Sequence, residues 1–188
     1  MKRKNPYSVI VLMAALLILV TACRFGAGSS DYTSKPDKFS VAFPMGPSDV
    51  KTETTSVKFA KSARTYSKSF DNQNPDFKSY EVEVLDLEPS QVAGKSLHEI
   101  QAIALNGWDK EKDTIVAYDI KFKGETGLDS SHGVTIGPIS MWFREAVFYF
   151  EADTKLYVVR ISASKKANVL SSEAANFINS FKLSKGWF

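Results

Sequence analysis

Alternating apolar and polar positions dominate the chain from Phe39 onward and predict that most of it forms β-strands. Phe39, Val41 and Phe43 alternate with small or polar residues and are followed by Pro44, the pattern of a half-buried strand that ends in a turn. Residues 80–84 show the same period of two, with one apolar and one acidic face. Further strands are predicted at residues 51–59, 64–70, 116–122, around 134, 140–150 and 156–163.

Two segments carry the period of a helix instead. Ser96 and Glu99 form a capping box, an apolar stripe follows, and Asn106-Gly107 supplies the stop. A second helix is predicted over about residues 172–181, because five apolar positions fall on one face: Leu170, Ala174, Phe177, Ile178 and Phe181. Runs of strands with two helices between them favour an α+β fold, in which two helices flank a mainly antiparallel sheet.

Two strand segments depart from simple alternation. The phase of the acidic strand shifts at Leu85 and Leu87, which predicts either a bulge or burial on both faces. Aromatic side chains occupy both faces of the segment from Trp142 to Phe150. That segment is therefore either a central strand covered on both sides or a strand with one face lining a pocket for an apolar ligand or partner.

The N-terminal segment has the composition of an export signal. Lys2, Arg3 and Lys4 precede an uncharged run whose largely apolar part is the 14 residues at positions 9–22. A helix that spans a bilayer needs about 20 such residues, so this run is too short for a permanent membrane span. Residues 1–22 are therefore predicted to be a signal peptide.

The four residues that end at Cys23, Val20-Thr21-Ala22-Cys23, resemble the lipobox of bacterial lipoproteins. The resemblance implies cleavage between Ala22 and Cys23 and acylation of the Cys23 thiol with a diacylglyceryl group, often with a third chain such as palmitate. Cys23 is the only cysteine, so an exported chain offers it no disulfide partner. The alternatives are an ordinary signal peptide with an incidental cysteine and an uncleaved anchor.

Residues 24–38 are rich in Gly, Ser and charge and poor in aliphatic side chains, so residues 23–38 are predicted to be a flexible tether after the lipidated Cys23. As a flexible coil it would span roughly 20 Å. The residue after the acylated cysteine influences sorting in lipoproteins of this kind. Arg24 stands there, which favours the outer membrane in a cell that has two membranes.

Charge argues against one class of partner. The chain carries 24 Lys and Arg against 21 Asp and Glu, and removal of the three N-terminal basic residues leaves 21 of each. A domain near neutrality offers no overall field to attract nucleic acid or anionic lipid, although a local patch stays open. We therefore expect no nucleic-acid partner.

The remaining pattern resembles the PsbP-like fold over about residues 39–183. The resemblance rests on Phe-Ser-Val-Ala-Phe-Pro at 39–44, Gly124, Gly127, Arg144, Leu156-Tyr157 and residues 177–181. It implies one α/β/α sandwich domain over residues 39–188, a fold that several bacterial envelope lipoproteins share. Members of that fold are generally implicated in binding and assembly. The resemblance therefore indicates a function only by analogy between folds.

Two segments invite a catalytic interpretation. His98 and Glu99 lie at a helix start, but position 102 is Ala where a zinc-protease motif needs a second histidine. His98 is therefore expected to be an exposed first-turn residue. Residues 129–133 collect an acid, two hydroxyls and the imidazole of His132 in a predicted loop. Sequence neighbours seldom have the geometry of a triad, and Asp, Ser and Gly are ordinary turn formers, so no catalytic residue is assigned.

Metal and cofactor signatures are weak. The segment 71–76 is rich in Asp and Asn, yet it lacks the central glycine and terminal glutamate of a calcium-binding EF-hand loop. It is predicted to be a plain turn. The two histidines are far apart and the sole cysteine is assigned to acylation, which leaves few ligands for a transition metal. Without a phosphate-binding glycine loop or a dinucleotide fingerprint, we expect no cofactor.

These patterns favour a membrane-anchored envelope lipoprotein that acts as a noncatalytic binding or assembly module, facing outside the cytoplasm. Its partner would be an envelope protein or an apolar ligand. The runner-up is a carrier or sensor of a small hydrophobic ligand, and an envelope hydrolase that uses His132 is a remote alternative. Trp187 and Phe188 at the end of the chain either fold back onto the domain or seek a partner.

Overall fold

A computed structural model describes residues 31–57, 60–70, 77–103, 116–122, 125–136 and 139–184. The strands are β1 Tyr32–Ser34, β2 Phe39–Val41, β3 Lys51–Thr55, β4 Ser62–Phe70, β5 Lys78–Asp86, β6 Val116–Phe122, β7 Glu125–Ile136, β8 Ile139–Phe150, β9 Lys155–Ala163 and β10 Lys182–Leu183. The helices are α1 Pro89–Val92, α2 Leu97–Ile103, α3 Lys166–Val169 and α4 Ser172–Ser180.

The strands form two sheets. The larger has seven strands in the order β3-β4-β5-β9-β8-β7-β6, and every neighbouring pair is antiparallel. The smaller has three, in the order β1-β2-β10, and is also antiparallel. The predicted α+β fold with a mainly antiparallel sheet is confirmed.

Apolar side chains cover both faces of the large sheet. On one face the small sheet and α4 bury a core in which Phe148 of β8 lies among Phe39, Phe177 and Phe181. On the other face Ile100 of α2 packs with a smaller group of side chains, namely Ala63, Leu85, Leu87, Val147, Leu156 and Val158. The sheet is thus a middle layer with a helix on each side.

Local sequence signals placed both main helices well. At the start of α2 the Glu99 carboxylate accepts a hydrogen bond from the Ser96 amide at 2.7 Å, and the Glu99 amide donates to the Ser96 hydroxyl at 3.3 Å. The predicted capping box is confirmed. Helix α4 begins with the Ser171 hydroxyl accepting from the Ala174 amide at 3.2 Å.

The phase shift at Leu85 has a simple structural reason. Val84 and Leu85 are both fully buried, in the cores on opposite faces of the sheet. The pairing of β5 with β9 runs without interruption through both residues. Of the two predicted alternatives, the structure therefore shows burial on both faces and no bulge at this point.

The predicted tether is too long. Strand β1 lies within residues 23–38, and the Tyr32 ring packs 5.8 Å from the Phe43 ring. Asp37 is fully buried. The boundary at Lys38 is therefore wrong, because this polar segment is held by hydrogen bonds and by three ring contacts of Tyr32, with Phe39, Phe43 and Tyr66, which its composition does not reveal. The folded domain includes residues from Asp31 onward.

The glycine-rich stretch that follows β6 is also a regular strand. Gly127 and Gly133 lie in β7 directly opposite Phe148 and Trp142 of β8. A Cβ atom at Gly127 would lie 2.6 Å from the Phe148 ring, and one at Gly133 would lie 2.9 Å from the Trp142 ring. These glycines make room for large aromatic rings on the neighbouring strand, which is a strand role for glycine.

Candidate functional site

One row of side chains crosses the middle of the large sheet on the face that α2 covers. Glu81 of β5 pairs with Arg160 of β9, Arg160 pairs with Glu145 of β8, and Glu145 pairs with Ser130 of β7. Glu83 follows two positions after Glu81, on the same face. The register of four antiparallel strands thus brings three carboxylates, one guanidinium and one hydroxyl together from four separate parts of the chain.

Arg160 is the common partner of the three carboxylates. Its Nη1 atom lies 2.7 Å from Glu81 Oε1, its Nη2 atom lies 3.4 Å from Glu83 Oε2, and its Nε atom donates to Glu145 Oε1. With all four groups ionised, the set carries one positive and three negative charges. We call Glu81, Glu83, Glu145 and Arg160 the glutamate cluster.

The cluster is deeply placed but not fully satisfied. The Glu145 side chain has no exposed surface, whereas Glu81 and Glu83 keep 23% and 18% of theirs. The second carboxylate oxygen of Glu145 and the hydroxyl of Ser130, a residue only 2% exposed, have no hydrogen-bond partner. Leaving such buried polar groups unpaired costs about 1–3 kcal/mol each.

The pKa values in the cluster reflect first burial and then this excess of negative charge. Burial raises the pKa of Glu81 above its ordinary 4.5; the charge of Arg160 opposes this shift, and the charges of Glu83 and Glu145 add to it. Burial works against the positive charge of Arg160, but Glu145 and Glu81 raise its pKa overall. One guanidinium therefore does not fully compensate the carboxylates around it.

A second charged network lies on the opposite face of the sheet. Asp37 accepts hydrogen bonds from Arg64 Nη2 at 2.6 Å and Nε at 2.7 Å, from Lys155 Nζ at 2.8 Å and from the Tyr66 hydroxyl at 2.6 Å. Asp86 joins the same two cations, at 2.7 Å from Arg64 and 3.0 Å from Lys155. We call Asp37, Arg64, Tyr66, Lys155 and Asp86 the Asp37 hub.

The hub fixes the small sheet to the large one. Asp37 lies between β1 and β2, while its partners come from β4 and β9. Burial alone would raise the pKa of Asp37, but the hydrogen bonds from Arg64, Lys155 and Tyr66 outweigh it and lower the pKa to about 2. Burial and the bond to Asp37 raise the pKa of Tyr66 to about 12. The hub therefore favours the charged carboxylate, as a structural ion pair does.

The proposed acid, hydroxyl and imidazole of residues 129–133 do not meet. They lie in strand β7, not in a loop, so alternate residues point to opposite faces. Asp129 pairs with Arg144 at 2.8 Å on the face of the larger core, whereas Ser130 and His132 lie on the face of the glutamate cluster. His132 is 2% exposed and stacks on Phe143 with ring centroids 5.3 Å apart.

Some of the other predictions from sequence fall on described residues, and others do not. His98 is exposed in the first turn of α2, as expected. The aromatic strand is β8, and near its middle Val147 and Phe148 are buried on opposite faces. That burial confirms a strand covered on both sides there. Five predictions lie outside the described residues: the signal peptide at 1–22, Ala22 and Cys23, the stop at 106–107, the turn at 71–76, and the tail at Trp187 and Phe188.

The described part of the chain shows neither a metal-binding group of side chains nor a membrane-spanning helix. No group of three or more His, Cys, Asp or Glu side chains there is placed to hold a metal ion. No helix there is long and apolar enough to cross a membrane.

Sequence reasoning separated the acidic face of β5 but missed the cluster. The available signal was the presence of charged residues inside otherwise apolar strands: Glu145 within β8 and Arg160 within β9. Buried charges are rarely unpaired, so two inward charges of opposite sign indicate a cross-strand pair. The register that joins them to Glu81 is not visible in sequence.

The described residues form an α+β domain with a buried glutamate cluster on the face of the sheet that the short helix α2 covers. Comparison with protein-family models finds no match, and comparison with curated proteins finds none either. Among solved structures, one similar chain is LpqN, which is involved in cell envelope biogenesis of Mycobacterium tuberculosis. The similarity covers 83% of this chain and 90% of LpqN, with 12% identical residues and a TM-score of 0.42. A likeness of this size identifies neither a family nor a function.

Proposed function

We propose that this chain is an envelope lipoprotein, held to a membrane through acylated Cys23, whose folded domain is a noncatalytic binding or assembly module. The observation that carries the proposal is the uncharged run that ends at Cys23, only eight residues before Asp31, the first residue that the structure describes. A single acyl chain binds a membrane only marginally, whereas two or more give stable anchoring. The diacylglyceryl group that the lipobox resemblance implies meets that requirement.

The placement of the reactive side chains supports binding in preference to catalysis. Ser130, His132 and Glu145 share one face of the sheet, but each is at most 2% exposed. Asp129 is on the other face, in an ion pair with Arg144. A general base must come within hydrogen-bond reach of its substrate, and these groups are covered in the folded chain.

The glutamate cluster supplies chemistry for a cationic partner. Its three carboxylates exceed its single guanidinium, and Glu81 and Glu83 reach the surface. A lysine or arginine side chain of a partner protein would offset that excess with charge-assisted hydrogen bonds. The binding surface therefore centres on Glu81 and Glu83, and the envelope partner is expected to present a basic side chain there.

Metabolic labelling with a fatty-acid analogue tests the anchor. The wild-type chain should incorporate the label and sediment with membranes, and Cys23→Ser should do neither, because the thiol that carries the lipid is gone. A label that persists in Cys23→Ser would place the lipid elsewhere. Membrane retention of an unlabelled wild-type chain would contradict acylation itself.

Carbodiimide crosslinking of intact envelopes tests the binding surface. This reagent joins a carboxylate to an adjacent lysine without a spacer, so it reports direct contact between Glu81 or Glu83 and a partner. Glu81→Gln combined with Glu83→Gln should abolish the crosslinked species, while Glu53→Gln, an exposed glutamate of β3, should leave it intact. Equal crosslinking in both variants would contradict a partner at the cluster.

Turnover of an envelope substrate that His132→Ala abolishes would contradict the noncatalytic proposal.

A further inference from the structure

Lys68 of β4 is a buried cation without an anionic partner. Among the described residues it is the one lysine or arginine that is buried, at 8% exposed. Its ammonium donates to the Gly46 carbonyl at 3.0 Å and lies 5.7 Å from the centre of the Phe70 ring, and no carboxylate of the described residues forms an ion pair with it. Arg64 and Arg160, by contrast, each contact at least two carboxylates. A buried charge is costly unless an opposite charge compensates it.

The Lys68 side chain lines a groove with a volume of about 360 Å³. Pockets for small molecules have volumes of roughly 300–1,000 Å³ and combine apolar walls with a few polar groups. Met45 and Phe70 give this groove apolar surface, while Lys51, Ser67 and Asp49 join Lys68 in giving it polar surface. The groove therefore has the size and the mixed lining of a small-ligand site, with a buried cation in its wall.

The strand register explains why a groove is present here. Strand β3 begins at Lys51, which pairs with Ser67 of β4, whereas β4 continues to Phe70 and is paired there with β5 alone. The loop between β2 and β3 supplies the other wall, and in it Met45 has a φ of 60° and Asp49 a φ of 63°. The left-handed conformation is unfavourable for methionine. The bond from Lys68 to the Gly46 carbonyl holds this loop against β4.

The charges that line the groove sum to one positive charge. Lys51 and Lys68 are cations and Asp49 is the one described carboxylate in the lining. Asp49 forms no ion pair with either lysine in the described part of the chain. The groove shares no residue with the glutamate cluster, whose excess charge is negative. It is therefore suited to a ligand of the opposite charge.

We propose that this groove binds a small organic anion, whose carboxylate or phosphate group pairs with Lys68 while its apolar part lies on Phe70 and Met45. A lysine ammonium has three N–H donors, so two remain after the bond to the Gly46 carbonyl. Charge-assisted hydrogen bonds from these donors would compensate the buried charge. Lys51, exposed at the start of β3, adds attraction at the rim. The site depends neither on acylation of Cys23 nor on a partner at the glutamate cluster.

Isothermal titration calorimetry of the full chain in a nonionic detergent, with benzoate and with phenyl phosphate as probes, tests the site. Lys68→Met keeps a similar shape but removes the charge, and it should weaken binding about tenfold or more. Lys51→Gln should weaken it about twofold, because this lysine is exposed. Lys95→Gln, at an exposed lysine outside the groove, is the matched control and should bind as the wild type does.

Asp49→Asn should have the opposite sign. Asparagine tolerates the left-handed conformation as aspartate does, and its loss of charge removes a repulsion, so both probes should bind about twofold more tightly. The two probes also distinguish the anionic groups, because tighter binding of phenyl phosphate assigns the site to phosphates and tighter binding of benzoate assigns it to carboxylates.

Four results would overturn the proposal. The folded wild-type chain could bind neither probe, or a folded Lys68→Met could bind both as tightly as the wild type. Benzyl alcohol, which has no charge, could bind as tightly as benzoate, or inorganic phosphate, which has no apolar part, as tightly as phenyl phosphate. If circular dichroism shows that Lys68→Met does not fold, the exposed positions decide: unchanged binding in both Lys51→Gln and Asp49→Asn would contradict an anion in the groove.

Discussion

The two charged networks lie on opposite faces of one sheet and have opposite balances of charge. In the Asp37 hub, Arg64 and Lys155 face Asp37 and Asp86, so two cations meet two carboxylates. In the glutamate cluster, one guanidinium meets three carboxylates. Both networks are buried, so they differ in whether the cations balance the carboxylates. The hub lowers the pKa of Asp37 to about 2, and the cluster raises that of Glu81.

This difference separates a structural network from a candidate binding site. A buried ion pair with complete hydrogen bonding holds two elements in one arrangement, and breaking it is costly. A cluster with excess charge and unpartnered polar atoms works against the folded state. Sites retained at a cost in stability are often functional ones, and this is the physical basis for placing the binding surface at Glu81 and Glu83.

The largest effect is expected from Asp37→Asn. The substitution keeps the shape but leaves Arg64 and Lys155 with only Asp86, so the free energy of unfolding should fall by about 3 kcal/mol, measured by urea denaturation. Asp153→Asn, which removes the more exposed pair with Lys38, should cost under about 1 kcal/mol. Equal losses in the two variants would remove the distinction between a buried hub and a surface pair.

Arg160→Met should follow, with a loss of about 2 kcal/mol at pH 7, because three carboxylates then lack their cation. The loss should shrink as the pH falls through the raised pKa of Glu81, since protonation of Glu81 removes one of the charges that Arg160 balances. Arg144→Met, which affects the single pair with Asp129, is the matched control with a smaller loss. A loss for Arg160→Met that does not depend on pH would mean that packing, not charge, is responsible.

Glu81→Gln should have the opposite sign, with a gain of about 1 kcal/mol at neutral pH. The folded-state pKa of Glu81 is raised above 4.5, so the ionised side chain destabilises the fold above that pKa. The gain should therefore disappear as the pH falls through the raised pKa to below 4.5. Asp86→Asn should destabilise, because the pKa of Asp86 is lowered: burial opposes this shift, but bonds from Ser62, Lys155 and Arg64 outweigh it. A destabilised Glu81→Gln at pH 7 would contradict the excess of negative charge.

The smallest effects on stability are expected from alanine substitutions of two buried serines, Ser34 and Ser130. Ser34 is 3% exposed, and its hydroxyl donates to the Tyr66 hydroxyl at 3.0 Å within the hub region. Ser130 is buried equally well beside Glu145 but has no partner. Thermal unfolding should show a loss of about 1 kcal/mol for Ser34→Ala and a gain of about 1 kcal/mol for Ser130→Ala, because the second change removes an unpaired buried hydroxyl. A loss at Ser130 would reveal a bonded hydroxyl.

Sequence predicted those parts of the fold that local signals determine. The capping box at Ser96, the strands β8 and β9, and the apolar face of α4 each depend on residues close together in the chain. The strand role of Gly127 and Gly133 was missed, because it depends on Phe148 and Trp142 in the next strand.

The two networks were out of reach for the same reason. Asp37 and Lys155 are 118 residues apart, and Glu81 and Arg160 are 79 apart. Pairing at such separations follows from strand order, which alternation alone does not fix. Each network also places a charged side chain in a segment that is otherwise apolar or turn-like. Composition shows only that this residue is polar and does not reveal its partner.

One experiment compares the two networks in a single sample. A carboxyl carbon-13 titration by NMR follows Asp37 and Glu81 of the folded chain together as the pH is lowered. We expect Asp37 to stay ionised until the pH nears about 2, and Glu81 to take up its proton above its ordinary value of 4.5. Titration of both groups at their ordinary values, or of Asp37 before Glu81, would contradict the distinction between a compensated hub and an overcharged cluster.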